Sequence, residues 1–469
     1  MSQSHPRPDS PEGARPRVVM VRPTDLANDS RAKKMALSLE RLGYEVVLLG
    51  RSDTAQRRHG RIGDAQVLLV PPRSRLRGTP QRLVRLPPKR LRGLERQLNR
   101  RLQMAERGAD KRLRSWDDSG RYLFHAAQRD FRTTYGGELV AFAPHVIHVH
   151  DPRLLPTAFR AARRVESRVG RPCRVVYDAR ENFAGVLETA ESLPAYHAQV
   201  LAAEARWAPH AAAVLTVSDV IAEALAERME LARLPYVVLN SPLLREFADP
   251  TVDGLRSLRG DAGLTHGERI LVYPGAASKA RGVDTIVEAL PLLPEVHAVF
   301  VVVPHPHPRE SELRDRAREL GVAERVHFVP PVESDDVPRY LAGADIAIHP
   351  MLGGIPNHEM ALPNKLFEVL HAGLPMVSSS VRTMAAFVRE HNLGPVFTAG
   401  DPVDLARAVQ EVVSAPESFA SPQGRAALAR THSWQAQERL LAAAYALAAP
   451  PGPAALATTT LQRPVITWS

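Results

Sequence analysis

The sequence predicts an α/β chain of two domains, each a parallel sheet flanked by helices. Three observations carry this. Short apolar runs of strand length recur along the chain, and each breaks into a polar or glycine-containing loop before a stretch of helical spacing. The chain is 469 residues long, more than one hydrophobic core accommodates, so two domains of roughly 200 residues each are expected. Its composition is 44% apolar with only 5% aromatic residues and 40 prolines, as in a globular enzyme with many turns. No apolar stretch approaches the roughly 20 residues that span a bilayer. A single cysteine, Cys173, leaves no internal disulfide and no cysteine-based metal cluster, and points to a reducing cytoplasm.

In chain order, residues 1–16 are polar and proline-rich and are expected to form a disordered leader. Residues 17–242 are expected to form the first domain. Val18 to Arg22 is a buried-strand pattern, a polar loop with Asn28, Asp29 and Ser30 follows, and a helix is expected from Arg31 to Leu42, stopped by Gly43 before a strand over Glu45 to Leu49. Asn28, Asp29 and Arg31 read equally well as a helix cap with surface charges and as ligand-facing groups. The net charge of +10 is concentrated in residues 51–132, where 22 Lys and Arg face 8 Asp and Glu. That is +14, so the rest of the chain sums to 10 − 14 = −4. This segment reads as a basic insertion, with Leu91, Leu94, Leu98 and Leu102 at helical spacing among arginines. Three readings of it stand: a solvated helix covering the first domain, a peripheral contact with anionic lipid through residues 73–114, and nucleic acid, which the lack of a recognition motif or interleaved aromatics disfavours. Two further strand patterns end in chemistry: Val146 to Val149 leads to His150 and Asp151, and Arg174 to Tyr177 leads to Asp178 and Glu181. An α/β sheet places such strand ends at its ligand-binding rim.

Residues 243–268 read as a linker and 269–432 as the second domain. Its first strand, Arg269 to Tyr273, leads into Gly275-Ala-Ala-Ser-Lys-Ala-Arg-Gly282, a small-residue loop with cations before a helix. Glycine permits close backbone approach, and Lys279 or Arg281 supplies charge for a phosphate. Pro304-His-Pro-His-Pro308 offers two histidines, too few for a metal site. Asp345 to His349 is a strand that breaks at Gly353-Gly354, and a helix opens near Asn364, with Gly373 as its stop and Pro375 before the next strand. In a parallel sheet the start of such a helix lies at the carboxyl edge, where free N–H groups favour a phosphate. Lys365 could neutralise one. Glu368, one turn on, has no phosphate role, and a neighbouring ribose diol suits it; the plain alternative is an i,i+3 surface pair with Lys365. Residues 433–448 are expected to form a last helix and 449–469 a disordered tail.

The segment ALPNKLFEVLHAGLPMVSSS resembles the nucleotide-sugar-binding segment of the GT4-type glycosyltransferases, in the branch that reads LPNKLFEYLAAGLPVVAS. The Gly275–Gly282 loop, the opening unit VVMVRPTDLANDSRAKKMALSLERLGYEVVLLG and the strand ends HVHDP and VYDARE are similar to the same family, over about residues 17 to 448. The resemblance implies a GT-B fold: two Rossmann-like, doubly wound domains with a cleft between them and a C-terminal crossover helix. It implies transfer of a sugar from a nucleoside diphosphate sugar to an acceptor hydroxyl, with retention, without a metal and with no cofactor beyond the donor. Donor binding then falls on Gly275, Lys279, Arg281, Gly282, Asn364, Lys365, Leu366 and Glu368, acceptor binding on Asn28, Asp29 and Arg31, and catalysis on Arg281, His150, Asp151, Asp178 and Glu181. The setting is cytoplasmic, at the inner face of a membrane if the basic segment touches lipid, where the acceptor would be lipid-linked. Two departures stand out: Arg180 occupies the place of a family histidine, and Met360 that of a family acidic residue, with Glu359 beside it. They keep an alternative open, a GT-B protein that binds a nucleotide sugar or a partner and transfers nothing.

Overall fold

The computed structural model describes residues 15–26, 29–72, 109–187, 194–244, 256–449 and 464–468. Two sheets organise them. The first contains β1 (Arg17–Val21), β2 (Glu45–Arg51), β3 (Arg58–Ile62), β4 (Ala65–Val70), β5 (Val146–Val149), β6 (Arg174–Asp178), β7 (Ala213–Thr216) and β8 (Tyr236–Val237). The second contains β9 (Arg269–Gly275), β10 (Val296–Val302), β11 (Val326–Val329), β12 (Ile346–His349), β13 (Met376–Ser379) and β14 (Val396–Phe397). A last short strand, β15 (Thr467–Trp468), returns to the first sheet beside β3.

Strand order is β15-β3-β4-β2-β1-β5-β6-β7-β8 in the first sheet and β11-β10-β9-β12-β13-β14 in the second. Every pairing is parallel except β3 with β4 and β15 with β3. The central strands are apolar on both faces because helices cover both faces, which turns them into continuous runs of Val, Ile and Leu. In the first sheet the winding reverses between β1 and β5, and in the second between β9 and β12. Loops leaving neighbouring strands at such a switch point diverge to opposite faces and open a crevice at the carboxyl edge. The chain places there the segments after β1, β5, β9 and β12.

Five helices matter below: α1 (Ser30–Arg41), α2 (Ala109–Ala141), α3 (Pro356–Met360), α4 (Asn364–His371) and α5 (Trp434–Ala446). Asp29 caps α1, accepting from the Ala32 N–H at 3.1 Å. Helix α5 crosses to the first domain, where Trp434, Leu441, Ala444 and Tyr445 join its core. The Trp434 indole donates to Ser38 Oγ at 2.8 Å, and the Tyr445 ring meets Tyr44 edge-on at 5.5 Å.

Three expectations need correction. Residues 51–132 are not an insertion throughout: β3 and β4 form a hairpin within the sheet, and the end of α2 buries Phe131, Tyr135 and Leu139 against it. The charge count masked the alternation of Arg58-His-Gly-Arg-Ile62, whose inward residues are Gly60 and Ile62. The expected helix over Leu91 to Leu102 lies outside the described residues. The expected linker ends earlier than residue 268, because Leu258 to Ala262 forms a short helix with Leu258 in the second domain's core. The expected disordered tail ends in β15, where Trp468 lies under the Arg58 guanidinium at 4.1 Å.

Candidate functional site

On the first domain's rim, Asp178 is the centre of a charged cluster. Both its oxygens accept from Arg31, at 2.8 and 2.9 Å, and Oδ2 also accepts from Arg180 Nε at 3.3 Å and meets His150 Nδ1 at 2.9 Å. Burial by itself would raise the Asp178 pKa, but Arg31 and the hydrogen bonds from His150 and Arg31 outweigh it and hold the carboxyl far below the usual carboxylate range. Arg31, only 2% exposed, gives its remaining edge to the Val238 carbonyl at 2.6 Å. Expected as cleft groups, Arg31 and Asp178 are instead the interior frame of the rim. Asp29 is likewise framed, with Arg180 donating at 2.6 and 3.3 Å and Arg22 paired at 2.5 Å. Asn28 lies outside the described residues. Asp151 caps the turn that follows it and is held by Arg153 at 2.8 Å.

His150 is the group this frame leaves with a free function. Asp178 fixes its Nδ1, while its Nε2 is buried without a hydrogen-bond partner. His148, two residues earlier on β5 and so on the same face, stacks at 4.3 Å between ring centres and bonds Tyr445 through Nδ1 at 2.5 Å. Burial, then His150, pushes the His148 pKa well down. The ligand atoms of His148, His150 and Asp178 lie within 4.8 Å of one another. The bidentate Arg31 already supplies a cation to both Asp178 oxygens, so this donor set suits a guanidinium and not a metal ion. Glu181 lies in the loop after β6; desolvation raises its pKa, and Arg281 of the other domain and Arg22 pull against that rise.

The second domain supplies the facing wall. Gly282 has φ +68°, and a Cβ there would lie 1.9 Å from the Pro350 carbonyl oxygen. This close approach, with Leu352 N–H donating to Ala280 O at 3.2 Å, presses the Gly275–Gly282 loop onto the segment after β12. It brings Arg281 close to His349 and His358, whose pKa values it depresses behind the larger effect of burial, His349 to about 3. Lys279 points elsewhere: it is 78% exposed and pairs with Glu312 at 3.7 Å. On α4, Asn364 Nδ2 donates to Glu368 Oε1 at 3.0 Å and Lys365 Nζ to Oε2 at 3.0 Å. The i,i+3 pair is therefore present, and it holds the carboxylate at the head of the helix with lone pairs to spare for hydroxyls. The Leu366 side chain is in the core.

The two rims face each other. Asn182 N–H donates to Asn357 Oδ1 at 3.0 Å, Asn182 Nδ2 meets Met360 Sδ at 3.3 Å, and Ser218 Oγ donates to the Met360 carbonyl at 2.7 Å. Met360 is thus a fastening point between domains. Glu359 turns inward, accepting from the Gly354 and Arg382 N–H groups at 3.0 and 2.8 Å, and folds the glycine loop. At the other end of the seam Lys34, Asn240, Asp335, Asn364 and Glu368 line one crevice. Lys34 donates to Asn240 and the Ser241 carbonyl and lies over the Trp434 ring at 4.8 Å. Burial, then Arg31, lowers its pKa to about 7, against the pull of Asp335, Glu368 and Asp29. The sequence reading missed Arg22, Lys34, His148, His349 and His358. Only the strand-end position of His349 signalled it; Lys34 looked like a surface residue of a charged helix.

Residues 268–415 match the family model described as "Glycosyl transferases group 1". Over 181 residues the chain is 32% identical to the D-inositol 3-phosphate glycosyltransferase of Mycolicibacterium gilvum, a match covering 38% of this chain and 39% of that protein. Over 155 residues it is 29% identical to the lipopolysaccharide glucosyltransferase WaaG of Escherichia coli, covering 32% and 39%. The chain spans about two fifths of the length of these curated relatives. Among solved structures, sucrose-phosphate synthase from Thermosynechococcus elongatus has a TM-score of 0.65 at 14% identity, covering 92% of this chain and 98% of that one. HepE from Anabaena, in complex with UDP and glucose, has 0.61 at 14% identity, covering 92% and 99%. At such identity the likeness is one of fold.

Proposed function

We propose that this chain, a GT4-type glycosyltransferase of group 1 by its second domain and GT-B in fold, moves a sugar from a nucleoside diphosphate sugar to an acceptor hydroxyl. The observation that carries this is Glu368, fixed by Asn364 and Lys365 near the head of α4, in the crossover that follows β12, with the Arg281 loop following the neighbouring strand β9 of the same parallel sheet. A carboxylate set for a diol next to a cation set for a phosphate is the recognition chemistry of a nucleoside diphosphate. In the reaction, charge grows on the leaving diphosphate. Arg281 and Lys365 stabilise it by position, so the reading needs no metal ion. Across the cleft, His150 offers Nε2 from a ring oriented by Asp178, and Glu181 is acted on by Arg281, which supports giving these two side chains the transferred sugar and the acceptor in this reading. Retention of anomeric configuration is part of the same reading.

Among the described residues no helix is long and apolar enough to cross a membrane. The basic stretch 73–114 would bring the enzyme to an anionic lipid surface, with a lipid-linked acceptor. A second reading, donor binding without transfer, has a specific basis in Arg180 and Met360, both engaged in structural contacts. The test is calorimetric titration with UDP-, GDP-, ADP- and dTDP-sugars without metal, on the wild type and on Arg281→Ala and Glu368→Ala. One donor is expected to bind and both variants to weaken it at least tenfold. A folded protein that binds none of the four overturns the proposal, and binding without hydrolysis or transfer selects the second reading.

A further inference from the structure

Two histidines of the second domain line the same wall as Arg281 and have no part in the reading above. His349 ends β12 and is 5% exposed, and its Nδ1 is buried without a hydrogen-bond partner. His358, on α3, also has a buried Nδ1 with no partner. Unpaired buried ring nitrogens are costly, and two of them, one at a strand end and one on the short helix that follows, mark a place built for something that binds there. The charged and titratable groups that face His349 are Arg281 from the loop after β9, His358 on α3 and Lys365 on α4. Those that face His358 are Arg281 and Glu359. The two cations that act most strongly on His349 are Arg281 and Lys365. An anion of two or more charges placed among these cations reverses the local field and favours imidazolium over imidazole.

We propose that His349 and His358 form a proton-accepting anion site, filled by the diphosphate of the donor, so that nucleotide binding draws protons from solvent onto this pair. The proposal rests on the donor reading and adds to it which residues take the phosphate oxygens and in what protonation state. In the empty site both rings are neutral, and their Nδ1 atoms are unpaired. With the diphosphate in place each protonated ring donates from nitrogen to a phosphate oxygen, and the extra positive charge offsets part of what Mg²⁺ would otherwise neutralise. On release the protons return to solvent. The pair therefore ties product release to pH: a neutral pair lets the diphosphate go, and a protonated pair keeps it.

The experiment is calorimetric titration of the full chain at pH 8, where the free diphosphate is ionised, in two buffers of different ionisation enthalpy. The probes are UDP, GDP, ADP and dTDP. The expected result is uptake of about two protons per nucleotide bound, with affinity falling about a hundredfold per pH unit as pH rises. His358→Gln, at a half-buried position, is expected to cut the uptake by half or more, and His349→Asn to do the same if it folds. Ring ¹⁵N shifts of the unmutated protein, with and without nucleotide, report the two protonation states without any substitution. A nucleotide that binds with no proton uptake and unchanged histidine shifts overturns this proposal and leaves the donor reading standing. Failure of all four nucleotides to bind overturns both.

Discussion

Replacing Arg31 by Met tests whether the first-domain rim is a frame or a binding surface. Arg31 has 2% exposure and Asp178 1%, and they are joined by two hydrogen bonds of 2.8 and 2.9 Å, with a third from Arg31 to Val238 O at 2.6 Å. Methionine fills most of the stem's volume, so the loss is electrostatic: Asp178 is left as a buried carboxylate without its main partner. Breaking a buried pair by removing one member costs about 3–5 kcal/mol. Arg180 Nε, 3.3 Å from Asp178 Oδ2, remains and places the expectation at the lower end of that range. For a domain of this size about 3 kcal/mol corresponds to a drop in Tm of roughly 6–12 °C. The assay is thermal unfolding followed by circular dichroism, with urea unfolding as the second measure. Adding Asp178→Asn to Arg31→Met removes the stranded charge, so the double variant should recover at least about 1 kcal/mol over the single one. A Tm drop below about 3 °C for Arg31→Met, or a double variant as unstable as the sum of the singles, refutes the frame argument and returns Arg31 to the cleft.

Acidification probes the same cluster with a defined sign. Asp178 is held below its unfolded value near 3.9, so its stability contribution is complete above that pH and is lost as pH falls below it; Arg31→Met should lose less stability than wild type between pH 5 and about 2. Lys34 runs the other way. Its folded pKa of about 7 lies below the unfolded value near 10.4, so the unfolded chain binds more protons between the two and wild-type stability rises with pH across that window. Lys34→Met should flatten the rise, read from urea midpoints at pH 7 and 10. Gly282→Ala combines a left-handed φ of +68° with a Cβ 1.9 Å from Pro350 O, so donor binding should fall at least tenfold while α4 and its Glu368 pair stay intact. Unchanged donor affinity in that variant would remove the Arg281 loop from the donor site.

Much of the fold was legible in the sequence, because each central strand is buried on both faces and announces itself as an unbroken apolar run. Gly43, Gly282 and Gly373 mark turns with positive φ, where residue choice is nearly forced. The Lys365–Glu368 pair was legible because its contact is local, three positions along one helix. Arg31 was misread for the opposite reason: its partner lies 147 positions away, and nothing near it in the chain tells a buried arginine from an exposed one. Lys34 was missed on the same ground, since Asn240, Ser241 and Trp434 make it interior only after α5 crosses back. The β3–β4 hairpin was hidden by an excess of arginines that leaves the period-two pattern intact but unremarked.

The two departures from the expected pattern, Arg180 and Met360, belong to one seam. Arg180 follows β6 by two residues and clasps Asp29, which caps α1; Met360 closes α3 and takes a hydrogen bond from Asn182, two residues beyond Arg180. Where the resemblance expects a histidine on the donor sugar and an acidic residue with an acceptor or catalytic role, this chain has groups that fasten the loop after β1 to the rim and the rim to the second domain. Both positions are thus committed to structural contacts, and on the proposed reading the polar groups left to the cleft include His150, Glu181, Arg281, Glu368 and the His349–His358 pair. If the proposed transfer holds, His150, whose Nε2 has no protein partner, is where substitution should change which sugar is accepted before it changes whether the nucleotide binds. His150→Gln keeps a hydrogen-bonding group on the same strand end and leaves the donor wall untouched. It should lower transfer by about a hundredfold or more at nearly unchanged affinity for the nucleoside diphosphate. Equal losses in transfer and nucleotide affinity would instead place His150 on the nucleotide.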